Sequence, residues 1–174
     1  TVTPVQDFTI DPGENVYFEL YNNNYSTAQL LATSSTVSIN DVPFTVAVTS
    51  DVTTVQEFTS GGATDSVTFT FSTTGVPDGT VLRAYLEAVG SGSLFKARDV
   101  YESGTTGYQY GEDSASIGYR YYNVTINNNT GSLTLKIVRD GKTEGNEQFR
   151  INAKNTAGIS LALSPVITIT DSSF

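Results

Sequence analysis

The sequence predicts an all-β protein, an antiparallel two-sheet β-sandwich with an additional, partial β unit at its N-terminus. Three observations carry this expectation. Apolar and polar residues alternate strictly in one stretch after another, which buries one face of an extended strand and wets the other. Turn-forming residues separate these stretches, and none repeats its apolar residues at the helical period. Residues 1–41 echo the C-terminal part of the chain yet are too few to close a core of their own.

The stretches run in order as follows. Residues 15–21 and 30–40 read as strands of the partial unit. Val67, Phe69 and Phe71 alternate with Ser66, Thr68, Thr70 and Ser72. Leu82, Ala84 and Leu86 alternate with Arg83, Tyr85 and Glu87, and Tyr122, Val124 and Ile126 with Asn123, Thr125 and Asn127. Leu133, Leu135 and Ile137 come next, then Phe149, Ile151 and Ala153, then Ile167 and Ile169. Turns are expected at Gly61-Gly62, Pro77-Asp78-Gly79, Asn129-Thr130-Gly131, Asp140-Gly141 and Gly145-Asn146. Several short strands at this spacing suit a sandwich.

The internal repeat sets the domain reading. Residues 4–20 lie on 137–151, so that Asp7 meets Asp140; a two-residue slip then brings Phe18 to Phe149 and Leu20 to Ile151. Further on, TVSIND (36–41) matches VITITD (166–171), and Asp41 meets Asp171. A shorter echo, VQDFT (5–9) with VQEFT (55–59), ranks second. Residues 1–41 therefore read as the C-terminal strands of a preceding repeat or as a strand-exchange segment, and residues 42–174 as a complete sandwich. Asp41-Val42-Pro43 is the joint. Open strand edges invite pairing, so neighbouring subunits completing each other by strand addition is an expectation here.

Composition narrows the function. The net charge of −9 and a pI near 4.2 leave no basic stripe for nucleic acid and disfavour anionic membranes. No apolar run approaches the roughly 18 residues of a membrane span. A start at Thr1 instead of Met reads as processing or as a piece of something longer. His, Cys, Met and Trp are all absent, which removes histidine bases, thiol nucleophiles, His/Cys zinc sites and disulfides together. The carboxylate pairs Glu112-Asp113 and Asp99 with Glu102 carry no further mark of catalysis. An enzyme is not expected.

The second unit resembles a known group. DGKTEGNEQFRINAKN (140–155) followed by VITITD (166–171) resembles the Calx-β pattern, D-G-x-x-E-G-x-E-x-F ending in an I-T-I-x-D strand. SVTFTFSTTGVPDGTVL (66–82) followed by VTINNNTGSLTLKIVRDGKTEG (124–145) is similar to immunoglobulin-like repeats in virion proteins of marine tailed phages, especially those infecting cyanobacteria. The resemblance covers residues 44–172, and residues 2–41 echo its C-terminal half. It implies an immunoglobulin-like, Calx-β-type sandwich at a virion surface or outside a cell. The role it implies is structural: a capsid decoration, head fibre or tail-associated module serving assembly, stabilisation or host-surface attachment. Its partners would be other virion or fibre proteins, copies of itself, and host surface glycans. The same repeats build bacterial adhesins, which gives a second expectation of an extracellular fibre. The insertion at 95–118, with Tyr101, Tyr108 and Tyr110, departs from the pattern.

Two sites follow. The resemblance implies a calcium site at Asp140, Glu144, Glu147 and Asp171, since hard cations take several oxygen ligands; no cofactor is required. The plainer alternative makes these turn residues with solvated carboxylates. Strand parity places Tyr119 and Tyr121 opposite Tyr122, Val124 and Ile126, where adjacent rings can stack on the faces of sugars. That is a carbohydrate-binding reading. Its plainer alternative has the tyrosines covering an interface or packing under the insertion.

Overall fold

The computed structural model describes residue 3 and residues 13–22, 28–40, 42–57, 65–90, 95, 99–102, 121–137 and 145–170. The chain divides into two units, Thr1–Pro43 and Phe44–Phe174. Among the described residues every named element is a β-strand.

In the first unit the strands are β1 (Glu14–Val16), β2 (Glu19–Tyr21), β3 (Leu30–Thr33) and β4 (Val37–Ile39). The second holds β5 (Thr45–Ser50), β6 (Thr54–Gln56), β7 (Ser66–Thr74), β8 (Val81–Ala88) and β9 (Val100–Glu102). It continues with β10 (Tyr121–Thr125), β11 (Thr130–Ile137), β12 (Glu147–Lys154), β13 (Ser160–Leu163) and β14 (Ile167–Thr170).

Among the described residues two sheets form the second unit. One runs β5-β7-β11-β9; the other runs β10-β8-β12-β14-β6, with β13 also on β12. The expected alternation decides which residues lie between them. Val67, Phe69 and Phe71, Leu82, Ala84 and Leu86, Tyr122, Val124 and Ile126, and the later series through Ile169 are all buried. Phe69 of the first sheet meets Phe149 of the second edge to face at 6.2 Å, and Phe95 stacks on Phe149 at 4.6 Å and 9°. Each such side chain removed from water contributes on the order of 2 kcal/mol. The arrangement is sandwich-like. Part of the insertion serves it, because β9 joins the first sheet and Phe95 enters the core.

Two expectations about the second unit need correction. The sheets are not wholly antiparallel, since β6 runs parallel to β14. β5 and β6 are separated only by residues 51–53, across which the chain passes from one sheet to the other, so β6 does not enter its sheet as a hairpin partner of β14. Asp51 holds the change point: its carboxylate accepts the Thr68 N–H at 2.8 Å, and its own N–H donates to the Thr68 carbonyl. The second correction concerns the turn at Asn129-Thr130-Gly131. The reversal is made by Asn128 and Asn129, both at positive φ, closed by paired backbone bonds between Asn127 and Thr130. Asparagine tolerates that backbone region, and two such residues suit the twist of a two-residue hairpin. Thr130 and Gly131 already belong to β11.

The first unit repeats β12, β13 and β14 bond for bond. Glu14, Asn15 and Val16 pair with Ile39, Ser38 and Val37, as Glu147, Gln148 and Phe149 pair with Ile169, Thr168 and Ile167. Glu19, Leu20 and Tyr21 pair with Thr33, Ala32 and Leu30, as Asn152, Ala153 and Lys154 pair with Leu163, Ala162 and Ser160; a register shift falls at the same step in both. The side-chain bonds agree as well. Phe18 N–H donates to Ser34 Oγ at 2.9 Å and Ile151 N–H to Ser164 Oγ at 2.8 Å, while each serine hydroxyl donates to the next residue's carbonyl. Asn22 and Asn155 each accept a backbone N–H on the side-chain oxygen, from Gln29 and Ile159.

This register corrects the sequence pairing of Phe18 with Phe149 and Leu20 with Ile151. Val16 is the counterpart of Phe149, Phe18 of Ile151 and Leu20 of Ala153. The offset from Asp7 to Asp140 continues without a slip, and the length difference falls in the longer loop from Asn22 to Gln29. β12 is continuous because β8 pairs with it across residues 149–154. The first unit has no β8 counterpart among its described residues, and its matching run is divided into β1 and β2.

Ser164 gives a first prediction. Ser164→Ala strips the partner from a buried backbone N–H, and a loss of about 1–2 kcal/mol is expected in urea denaturation of the second unit. A midpoint that does not move would mean the bond contributes nothing.

Candidate functional site

The outward face of the β10-β8-β12 sheet collects polar chemistry. Register places Tyr85 between Tyr121 and Asn152, and Arg83 between Asn123 and Lys154. The Tyr85 and Tyr121 rings lie 5.0 Å apart at 37°. The Arg83 guanidinium sits 4.9 Å from the centre of the Tyr121 ring, and Lys154 Nζ sits 4.5 Å from that of Tyr85. Cations at such distances are drawn to the negative ring faces. Next along the sheet, Glu87 accepts from Arg150 Nε at 3.1 Å and from Asn152 Nδ2 at 2.6 Å. Asn152 Oδ1 in turn accepts from Ser160 Oγ, and Arg83 donates to the Thr156 carbonyl.

Arg83, Arg150 and Lys154 are three of only nine basic residues in an acidic chain, so this face is locally cationic. Two phenols with cations beside them can stack on a pyranose ring and hold its hydroxyl or carboxylate groups. Tyr121 lies on the outward side as parity requires, half-buried, with Tyr122 buried behind it. Tyr119 lies outside the described residues. Tyr85 escaped the sequence reading. Its outward position was legible in the alternation of 82–87, but its meeting with Tyr121 depends on β8 and β10 being neighbours.

Of the carboxylates implied by the Calx-β resemblance, only Glu147 falls among the described residues; Asp140, Glu144 and Asp171 lie outside them. Glu147 is buried, 2% exposed, in register with Ile169. Glu57, also buried, follows β6, and its N–H donates to the Thr170 carbonyl. Both acids thus lie where β12 begins and where β6 and β14 end, one end of that sheet. Glu57 was missed because its signal was read only as part of the VQEFT echo. Asp65 lies at the start of β7, where its carboxylate accepts the Gln56 N–H at 2.8 Å. No group of three potential metal ligands occurs among the described residues. Asp99, weighed above for acid-base work, is buried, and Glu112 and Asp113 lie outside the described residues.

A third feature is the apolar face of the first unit. Ile151 and Ala153 are 0% exposed in the second unit, whereas their counterparts Phe18 and Leu20 are 62% and 61% exposed. Val37, the counterpart of buried Ile167, is exposed too. At the counterparts of outward Asn152 and Lys154, the Tyr21 phenol is held above its ordinary pKa by the hydrogen bond it donates to Glu19 and by that carboxylate's charge. Exposed apolar residues at positions that are buried in the matching trio mark an interaction surface.

Neither a protein-family model nor a curated protein matches the chain.

Proposed function

We propose that this chain is a non-enzymatic structural segment of a tandem-repeat protein, immunoglobulin-like and of Calx-β type, working on a virion or an extracellular surface. One observation carries the reading: the first unit reproduces β12–β14 of the second, register for register, down to its serine and asparagine side-chain bonds. A duplicated strand trio of this kind is the signature of repeats in series, and serial sandwiches make extended, solvated spacers. The acidic surface, rich in Ser, Thr and Asn, suits exposure to solvent. The work is assembly, stabilisation or attachment, with other virion or fibre proteins as partners.

Antibodies against the second unit are expected to label intact virions or unpermeabilised cells of the source. Labelling that appears only after lysis ends the surface reading. Pulled at its ends, the second unit is expected to open in one event, with a length gain of roughly 400 Å. Gradual yielding at low force would remove it from load-bearing duty.

The adhesin form of this reading adds calcium at the end holding Glu147. Calcium added to EGTA-treated protein is expected to raise Tm, and Glu147→Gln to abolish the rise. An unchanged Tm removes calcium from the account.

The Tyr85–Tyr121 face favours a second reading, attachment to surface glycans. On a glycan array, Tyr85→Ala together with Tyr121→Ala is expected to lower binding at least about tenfold, since stacking contributes on the order of 1 kcal/mol per ring. Binding indifferent to both changes eliminates it.

A further inference from the structure

We infer that the apolar face of the first unit is the docking surface for a polypeptide of one kind: a strand set with the pattern of β5–β11, supplied by a preceding repeat of the same protein. The inference rests on the tandem-repeat reading above and goes further by naming what covers residues 13–40.

The second unit shows what its own β12–β14 trio requires. β8 pairs along β12 from Phe149 to Lys154, and β6 pairs along β14. The β5-β7-β11-β9 sheet supplies Phe69 to the face that carries Phe149. With these neighbours Ile151, Ala153 and Ile167 lose all contact with water. Phe18, Leu20 and Val37 occupy the same three positions in the first unit and are exposed. A trio paired in the same register, carrying apolar residues at the positions that face inward in the second unit, is shaped for the same type of cover. An isolated trio of short strands buries too little apolar surface to offset the entropy of ordering it.

Stoichiometry decides the source. Among its described residues each copy of the chain holds one β5–β11 set and two trios of the β12–β14 kind. Its single set already covers its own β12–β14. However many copies associate, and whichever trios they exchange, one trio per chain is left over. Self-association therefore supplies no β5–β11 set for the first unit, and the proposed set comes from outside residues 1–174.

The test builds that cover from the protein's own sequence. At the offset that takes Asp7 to Asp140, Thr1 falls on Thr134, so residues 44–133 are placed directly before Thr1 of the full chain. Amide exchange is followed residue by residue in the chain with and without this extension. Exchange at Phe18 and Leu20 is expected to be fast in the 1–174 chain and to slow by roughly a hundredfold or more in the extended one. Phe18→Asp in the extended chain is expected to return residues 13–40 to fast exchange while the second unit stays protected. The second unit's own amides report in each sample that the protein has folded.

Equal, fast exchange of residues 13–40 in both chains overturns the inference. So does slow exchange already present in the 1–174 chain, which would mean these residues find their cover within it. Neither outcome touches the surface labelling or the forced opening of the second unit, so the repeat reading stands or falls separately.

Discussion

Phe149→Ala is expected to destabilise the second unit by about 3–5 kcal/mol, the range for emptying a large aromatic site in a core. Phe149 is fully buried, stacked on Phe95 and met edge-on by Phe69. Its backbone is held from both sides, by Ala88 on β8 and by Ile167 on β14, so the strand cannot shift inward to fill the space. A cavity that cannot collapse gives the upper part of the range. Urea denaturation followed by far-UV circular dichroism measures it, the chain having no tryptophan to report. A loss under about 1 kcal/mol would show that the two sheets do not close over this ring. The matched change in the first unit, Val16→Ala, is expected to leave the transition of the second unit where it is.

Gly131→Ala should cost about 2–3 kcal/mol, at the upper end of ordinary overpacking. A Cβ at this position would stand 2.7 Å from Val124 Cγ1, 3.0 Å from Ile126 Cδ1 and 3.0 Å from the Thr125 carbonyl oxygen. The two side chains belong to a buried layer, and the carbonyl is part of the backbone running through it, so none yields cheaply. The reason for this glycine is close approach, not a turn, which the Asn128-Asn129 pair makes on its own. The same denaturation experiment applies. A neutral result would mean that β10 and the start of β11 can move apart without loss.

Much of the inward set was legible before any coordinates. From Val67 through Ile169, the residues that alternation placed on the apolar face are the ones that lie between the sheets. Parity also placed Tyr121 outward, away from Tyr122. The partner of Tyr121 was not legible, because nothing local to residues 119–122 names Tyr85 as its neighbour. The buried acid Glu57 was hidden for a related reason. A carboxylate just past the mostly polar Thr54-Val55-Gln56 looks solvated until β14 is seen running beside it.

The repeat shows the same division more sharply. Its existence, its offset at Asp7 and Asp140 and its final strand at residues 36–41 were all readable. The pairing of Phe18 with Phe149 was wrong by two residues, and alternation could not have caught the error. A strand moved by two keeps every side chain on its own face, so two registers present the same pattern of polar and apolar residues. Only hydrogen bonds between strands distant in sequence tell them apart, and here the serine and asparagine bonds do so.

By itself, then, the sequence determined that the chain is built of strands, which side of most of them is apolar, and that its beginning repeats its end. Those properties depend on the spacing of neighbouring residues along the chain. The tertiary structure alone decided register, the parallel entry of β6, the Tyr85–Tyr121 meeting and the bare face of the first unit. Each of these depends on which distant strand comes to lie alongside, a choice made when the sheets close and one that a period of two leaves open.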